Sequence, residues 1–363
     1  MAVSIDVVIP SYRLSPDALL PILQLKRPKD TLVKFYLVAD NPDVKPATAI
    51  MTLVNAQGVD LLINNKNIGA SATRNKGMAA GQGEWILFLD DDIAVPHNLL
   101  EVYADAIQQW PGEIGFIGVV DMPAPPTPFT KAVEANGSMG IFTVAKQKPS
   151  FAWGATANMM VKREAVGDVL FSDDYPKTGG GEEVEFFLRV RARNNFQNYR
   201  SLPGAAVIHP WWNDGRDDYL RFFRYGKGNS FLAQRNHLYS WRDLFNTSET
   251  LLLSVIIWLF TFFTPLLYFM LATVIIEYLV TVLRVKRSTQ HINFPLSLDV
   301  TLLRNVYEAG ILWGNLSRGR VKGIGERFNY EGGIKKQHFR LNRFKIIKLI
   351  LYVIAIAVIL LCV

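Results

Sequence analysis

The chain has 363 residues, half of them hydrophobic and a fifth charged, with a net charge of +7. That balance is too apolar for an ordinary soluble protein and too polar for one embedded throughout, so a soluble domain with membrane-directed appendages is expected. The single cysteine, Cys362, excludes an intrachain disulfide framework and a cysteine zinc site, and the basic excess, crowded beside apolar runs near the C-terminus, reads as contact with anionic lipid rather than with nucleic acid.

Residues 1–9 show no basic stretch leading into a long apolar core, so no signal peptide is expected and the N-terminal domain should stay in the cytosol. Residues 5–9 read as a short strand ended by Pro10. Ser15-Pro16-Asp17 reads as a helix start, with Ser15 as N-cap and Pro16 at the first helical position. Further strands are expected at residues 32–39, 59–63, 85–89 and 114–120, with helices at 70–80 and 98–109 between them. Apolar strands alternating with helices imply an α/β domain with a mainly parallel sheet covered on both faces, extending to residue 210. Ligands of such sheets bind beyond the carboxyl ends of the strands. Ser11 to Arg13, Asp40 and Asp90 to Asp92 all lie at such ends. Residues 122–150, rich in Pro, Gly and small side chains, read as a loop or lid. Residues 151–210 resume mixed structure, with a strand at 205–208.

After His209-Pro210 the character changes. Residues 211–248 hold an amphipathic stretch at 216–239 that suits a membrane interface. Residues 249–283 form an apolar run, uncharged from 251 to 276, with Pro265 near its middle. Residues 284–343 are basic and include a second candidate interfacial helix at 298–316. Residues 344–363 read as a C-terminal transmembrane helix. Between the apolar runs, residues 284–348 carry 14 Lys or Arg against 4 Asp or Glu. Such a segment stays cytoplasmic, on the same side as the catalytic domain, so the first run should return to its own face. A hairpin with two arms of about 15 residues around Pro265 is expected, each about 22 Å long at 1.5 Å per residue, the alternative being one long tilted helix that would leave the basic segment outside.

The chemistry-bearing residues cluster. Asp90-Asp91-Asp92 at the end of an apolar strand can bring carboxylates two apart onto one hard cation, although a polar turn explains them as well. Gly179-Gly180-Gly181 allows a backbone to approach a ligand. The following Glu182, Glu183 and Glu185 also suit a helix start through the dipole alone. Arg221, Arg224 and Lys227 could hold an acceptor phosphate or a leaving diphosphate, or lie against lipid.

Three segments together go further. Residues 7–13 (Val-Val-Ile-Pro-Ser-Tyr-Arg), 67–77 (Asn-Ile-Gly-Ala-Ser-Ala-Thr-Arg-Asn-Lys-Gly) and 86–92 (Ile-Leu-Phe-Leu-Asp-Asp-Asp), in this order and spacing, resemble family 2 of the inverting glycosyltransferases. The resemblance covers residues 4–210 and implies the GT-A fold. It implies that a nucleotide-sugar donor, expected to be a UDP-sugar, is held by Pro10, Ser11, Tyr12, Arg13, Asp40, Asn67, Arg74, Asp90 and Asp91. Asp40 would reach the base and Arg74 the diphosphate. A divalent metal, Mn2+ or Mg2+, would sit on Asp92 and Asp90, with His209 as a further ligand. The general base would be Glu183, standing where the family has Asp, with Glu182 as second choice. Trp153, Asn158 and Glu185 would lie on the acceptor side with Arg221 and Arg224.

The resulting expectation is a membrane-anchored glycosyltransferase acting at the cytoplasmic face of the cell membrane on a lipid-linked or amphipathic acceptor. A processive polysaccharide synthase would carry a Gln-x-x-Arg-Trp motif and more spans, and neither is present. A nucleotidyltransferase would carry a Gly-rich, Lys-bearing loop where Pro10-Ser11-Tyr12-Arg13 stands. A non-catalytic scaffold would not need the paired acidic motifs.

Overall fold

The computed structural model describes residues 3–56, 58–177, 179–334, 339 and 341–362. The chain forms two compact units, residues 1–124 with 139–211, and residues 125–138 with 212–363.

The first unit opens with β1 (Val3–Ser11), α1 (Pro16–Leu23), β2 (Thr31–Ala39), α2 (Thr48–Ala56), β3 (Val59–Ile63), α3 (Ala70–Ala80), β4 (Trp85–Leu89), α4 (Leu99–Gln109) and β5 (Gly115–Asp121). After α5 (Pro128–Ala135), which belongs to the second unit, come α6 (Val144–Gln147), β6 (Ser150–Phe151), β7 (Asn158–Lys162), α7 (Arg163–Val166), α8 (Glu182–Arg193) and β8 (Tyr199–Ile208). The strands form one sheet in the order β3-β2-β1-β4-β7-β5-β8-β6. β1 to β4 run parallel, as do β5 and β8, while β7 enters antiparallel between β4 and β5. The expected mainly parallel sheet is present. Its central strands are apolar on both faces because helices cover both, and Ile5, Val7, Val8 and Ile9 are all fully buried. The antiparallel β7 pairs Asn158 with Leu89. Residues 153–157 therefore arrive at the carboxyl edge of β4, next to the aspartates.

The expected loop at 122–150 is corrected, because it contains α5 and α6. Thr127 caps α5 through a reciprocal pair with Thr130, and Pro128 occupies its first turn. That start signal was readable, but the surrounding Pro and Gly residues masked it. Helix α2 was not anticipated either.

The second unit holds α9 (Tyr219–Arg235), β9 (Ser240–Arg242), α10 (Thr247–Thr261), α11 (Pro265–Thr289), α12 (Phe294–Leu316), β10 (Glu326–Phe328) and α13 (Arg343–Cys362). The two expected interfacial helices, α9 and α12, pack on each other rather than lying separately. A Cβ on Gly226 would strike the Tyr307 carbonyl, and one on Gly310 the Phe223 carbonyl. The helix backbones thus touch through small residues, as membrane helices commonly do. The expected pair of equal arms is also corrected. The break falls at Phe262, in the left-handed region, and Pro265 begins a helix of 25 residues after an arm of 15. Proline is well suited to a first helical turn because its missing N–H has no partner there in any case. The Thr247 hydroxyl donates to Glu277 at 3.2 Å, so the chain does fold back on itself. α11 and α13 are long and apolar enough to cross a membrane, whereas α10 is shorter. Lys348 of α13 donates to Glu277 of α11 at 2.6 Å and joins the two. Of the basic segment, Lys335, Lys336 and Arg340 lie outside the described residues.

Candidate active site

The site is assembled in the first unit from the ends of β1, β2, β4 and β8 and the starts of α3 and α8. Asp90, Asp91 and Asp92 leave the end of β4, each with a different partner. Asp90 accepts from the Arg74 guanidinium at 3.2 Å. Asp91 accepts from the Ser11 hydroxyl at 2.5 Å, and burial pushes its carboxyl up to about 6 against that hydrogen bond. Asp92 accepts from the exposed Arg13 at 2.9 Å. Ser11 also accepts from the Leu14 N–H at 3.0 Å, so this hydroxyl ties the turn after β1 to the acidic cluster. Pro10 is half-buried and Tyr12 exposed beside it.

His209, buried at the end of β8, lies with Nε2 at 3.4 Å from Asp92 Oδ1 and 3.9 Å from Asp90 Oδ2. Its Nδ1 is 2.5 Å from the Pro210 carbonyl, an oxygen that can only accept, so Nδ1 carries a hydrogen. In the neutral ring Nε2 then presents a lone pair to two carboxylates. Nε2 and the two carboxylates thus face one another across 3.4 to 3.9 Å. The Nδ1–carbonyl bond is the usual support of a metal-bound histidine. Among the described residues no three such side chains stand close enough to form a ligand set, and one oxygen of Asp92 is engaged by Arg13. The donor set of two carboxylates and one imidazole fits a divalent ion.

Arg74 is buried against the ring of Phe171, 5.8 Å from its guanidinium carbon. Its Nε and Nη1 have no hydrogen-bond partner, Glu182 lying 3.7 Å from Nη1. Buried guanidinium donors left open beside the acidic cluster are positioned for an anion.

Asp40 requires a correction. It was expected to reach a nucleoside base, but its carboxylate already accepts from the Ile68 and Gly69 N–H groups at 2.9 and 2.8 Å and from Asn64 at 2.9 Å. It holds the loop leading into α3, where Gly69 has a φ of 88° that disfavours other residues. The exposed Asn67 accepts from the Gly69 N–H at 3.1 Å and belongs to the same loop.

The second acidic motif separates its members. Gly180 and Gly181, with φ of 141° and 120°, turn the chain into α8. Glu182 folds back to accept from the Gly180 N–H at 2.8 Å, on its Arg74 side. Glu183 points instead to Thr156, accepting from its N–H and its hydroxyl at 3.1 and 3.0 Å. Burial, then the neighbouring Glu182, pushes the Glu183 carboxyl up to about 7. Thr156 was missed in the sequence because no local pattern connects it to a residue 27 positions on.

One acceptor-side expectation changes. Asn158 is fully buried in the sheet, bonded to Tyr103 and to the carbonyls of Val119 and Ala205, so it is a core residue and not a pocket residue. Arg221 is held by Asp218 at 3.0 Å and packs over Trp212 within the second unit. Arg224 is half-buried on the same helix. Trp153 and Glu185 are buried in the first unit.

A mainly parallel sheet with an acidic triplet at a strand end, an open buried arginine and a raised carboxylic acid on a neighbouring helix is an arrangement of the GT-A fold. Residues 6–170 match the family described as Glycosyl transferase family 2. Glu182, Glu183 and His209 lie beyond the matched residues. An uncharacterized glycosyltransferase of Methanocaldococcus jannaschii is 37% identical over 68 residues, which is 18% of this chain and only 23% of that relative. Among solved structures, the mannosyltransferase PcManGT of Pyrobaculum calidifontis, in complex with GDP-Man and Mn2+, superposes with a TM-score of 0.52 at 14% identity, covering 85% of this chain and 87% of that one. TarS of S. aureus gives a TM-score of 0.44 at 12% identity, over 87% and 92%.

Proposed function

We propose that the chain is a membrane-associated, inverting glycosyltransferase that moves a sugar from a nucleotide-diphosphate donor, expected to be a UDP-sugar, to a lipid-linked or amphipathic acceptor. The observation that carries this reading is Glu183, held by Thr156 and raised to about 7. A base of that strength takes a hydroxyl proton at neutral pH. The acceptor oxygen then bonds to the anomeric carbon, the bond from that carbon to the diphosphate oxygen breaks, and the nucleoside diphosphate leaves with the electron pair. Displacement from the opposite face inverts the anomeric centre.

Arg74 would bind the diphosphate through its open Nε and Nη1. Asp90, Asp92 and His209 would hold Mn2+ or Mg2+, which when bound supplies positive charge to the leaving diphosphate. Pro10 to Arg13, Asn67 and Asp91 would line the nucleoside side, with Asp40 shaping the loop behind it. The donor and metal of the mannosyltransferase neighbour are of this kind. Helices α11 and α13 favour attachment to a membrane, with the first unit and the basic segment cytoplasmic by the charge bias.

The test is a thermal-shift screen of UDP- and GDP-sugars with and without Mn2+. One nucleotide sugar should raise the melting temperature in a metal-dependent way, because ligand that binds only the folded state stabilises it. No shift with any donor would overturn the reading.

A further inference from the structure

The second unit contains a polar cavity of about 240 Å3, lined in part by α11, α12, β10 and α13. Most of its charges are paired. Arg327 grips Glu249 through two hydrogen bonds, at 3.0 and 2.5 Å. Lys345 pairs with Asp243 at 2.5 Å and Lys348 with Glu277 at 2.6 Å. That leaves Arg284 and Arg304 with Glu308.

Neither arginine is satisfied. Arg304 donates one hydrogen bond, from Nη1 to Asn136 at 3.5 Å, and stands 3.6 Å from Glu277 and 3.8 Å from Glu308, while its Nε has no hydrogen-bond partner. Arg284 makes no ion pair and no hydrogen bond among the described residues. Its buried Nε is open, and its guanidinium rests over the Phe344 ring at 5.0 Å. Two like charges with open Nε donors face one cavity whose five cations, Arg284, Arg304, Arg327, Lys345 and Lys348, outnumber Asp243, Glu249, Glu277 and Glu308, and that excess calls for an anion.

The position says what carries that anion. Arg284 lies toward the polar end of α11, followed by Lys286 and Arg287, and Lys345 lies in the first turn of α13. The long apolar stretches of both helices extend away from these cations, and many of their apolar side chains are exposed. The cavity therefore sits at the polar ends of two candidate spans, the level at which lipid head groups lie.

We propose that this cavity binds the phosphate of an anionic membrane lipid, with Arg284 and Arg304 as the groups that hold it. The inference rests on the membrane-attached reading above. A phosphodiester supplies one negative charge and acceptor oxygens in the arrangement a guanidinium fork prefers, and would tie α11, α12 and α13 together.

The test uses the full-length protein in neutral detergent, incubated with phosphatidylglycerol, phosphatidylcholine or inorganic phosphate and analysed by native mass spectrometry. One phosphatidylglycerol should be retained in preference to phosphatidylcholine. Arg284→Gln should weaken that retention about tenfold, as expected for losing a charge-assisted hydrogen bond, and Arg284→Lys should restore part of it. Lys286→Gln with Arg287→Gln, both exposed, should leave it unchanged. Equal loss in the two sets of variants would overturn the site, because it would mark general surface attraction. Retention of inorganic phosphate without lipid, sensitive to Arg284→Gln, would overturn the lipid source. Protein that stays in the membrane fraction yet retains no phosphatidylglycerol defeats this inference alone, whereas protein in the soluble fraction defeats it together with the membrane reading.

Discussion

Thr156 donates both its backbone N–H and its hydroxyl to one oxygen of Glu183, at 3.1 and 3.0 Å. The Thr156 contacts favour the ionised form, while burial and Glu182 oppose it more strongly and leave the carboxyl near 7. Glu182, one residue earlier, faces Gly180 and Arg74 instead. The two neighbours therefore have different surroundings.

The pH dependence follows with a definite sign. A base works only when ionised, so transfer should rise with pH through about 7 and fall about tenfold per unit well below that. The same shift acts on stability in the opposite sense. Unfolded Glu183 ionises near 4.5 and folded Glu183 near 7, so the folded state binds more protons between them. Its contribution to stability falls as pH rises across that window. Thr156→Val removes the hydroxyl donor and should move the acidic limb of the rate profile upward. An unmoved limb in a folded Thr156→Val variant would assign that limb to another group.

Asp92→Asn should abolish transfer and metal-dependent nucleotide binding while leaving the fold intact, because Asp92 is half-buried and its partners, His209 and the exposed Arg13, are held at the site and not in the hydrophobic core. Turnover and nucleotide binding with and without Mn2+ are the measurements. Near-normal values for both would remove Asp92 from any metal role.

Arg74→Gln should raise the donor KM by about ten- to a hundredfold, the range of one or two charge-assisted hydrogen bonds. Arg74→Lys should recover only part, since an ammonium cannot reproduce the fork. The variants should also melt earlier, because Asp90 and Glu182 lose a buried cation. A donor KM unchanged in Arg74→Gln would show that the arginine only neutralises those carboxylates.

Much of this was legible in the chain, for a physical reason. Residues 85–89 are apolar on both faces and stop at three aspartates, so periodicity alone placed the strand and its chemistry together. The same reasoning could not see β7, whose Asn158 looks like a pocket residue yet fills the polar interior beneath Tyr103. It misjudged Asp40 because a strand-end carboxylate can bind a ligand or its own loop, and only the Ile68 and Gly69 N–H groups decide between them. It placed the hairpin turn at Pro265, whereas Phe262 takes the left-handed conformation and proline starts the next helix. Pairings across many residues, such as Thr156 with Glu183 or Thr247 with Glu277, leave no local trace.

Topology has its own test. In a Cys362→Ser background, cysteines placed at Ser288 and Ser317 should both resist an impermeant reagent in intact cells. Ser288 closes α11 and Ser317 follows α12, and the basic segment around them should remain cytoplasmic. Labelling at both sites would mean that the α10–α11 pair crosses once, and would refute the hairpin.

The central claim is that Glu183 is the base of a sugar transfer, and one comparison addresses it most directly. Release of nucleoside diphosphate from the stabilising nucleotide sugar is measured with Mn2+ and acceptor membranes, for the native chain and for Glu183→Gln, alongside the donor dissociation constant of each. The account predicts a loss of about a hundred- to ten-thousandfold in turnover for Glu183→Gln with the donor constant unchanged, since a base acts on the acceptor. Full turnover in Glu183→Gln, or a dead Glu182→Gln beside an active Glu183→Gln, would contradict it.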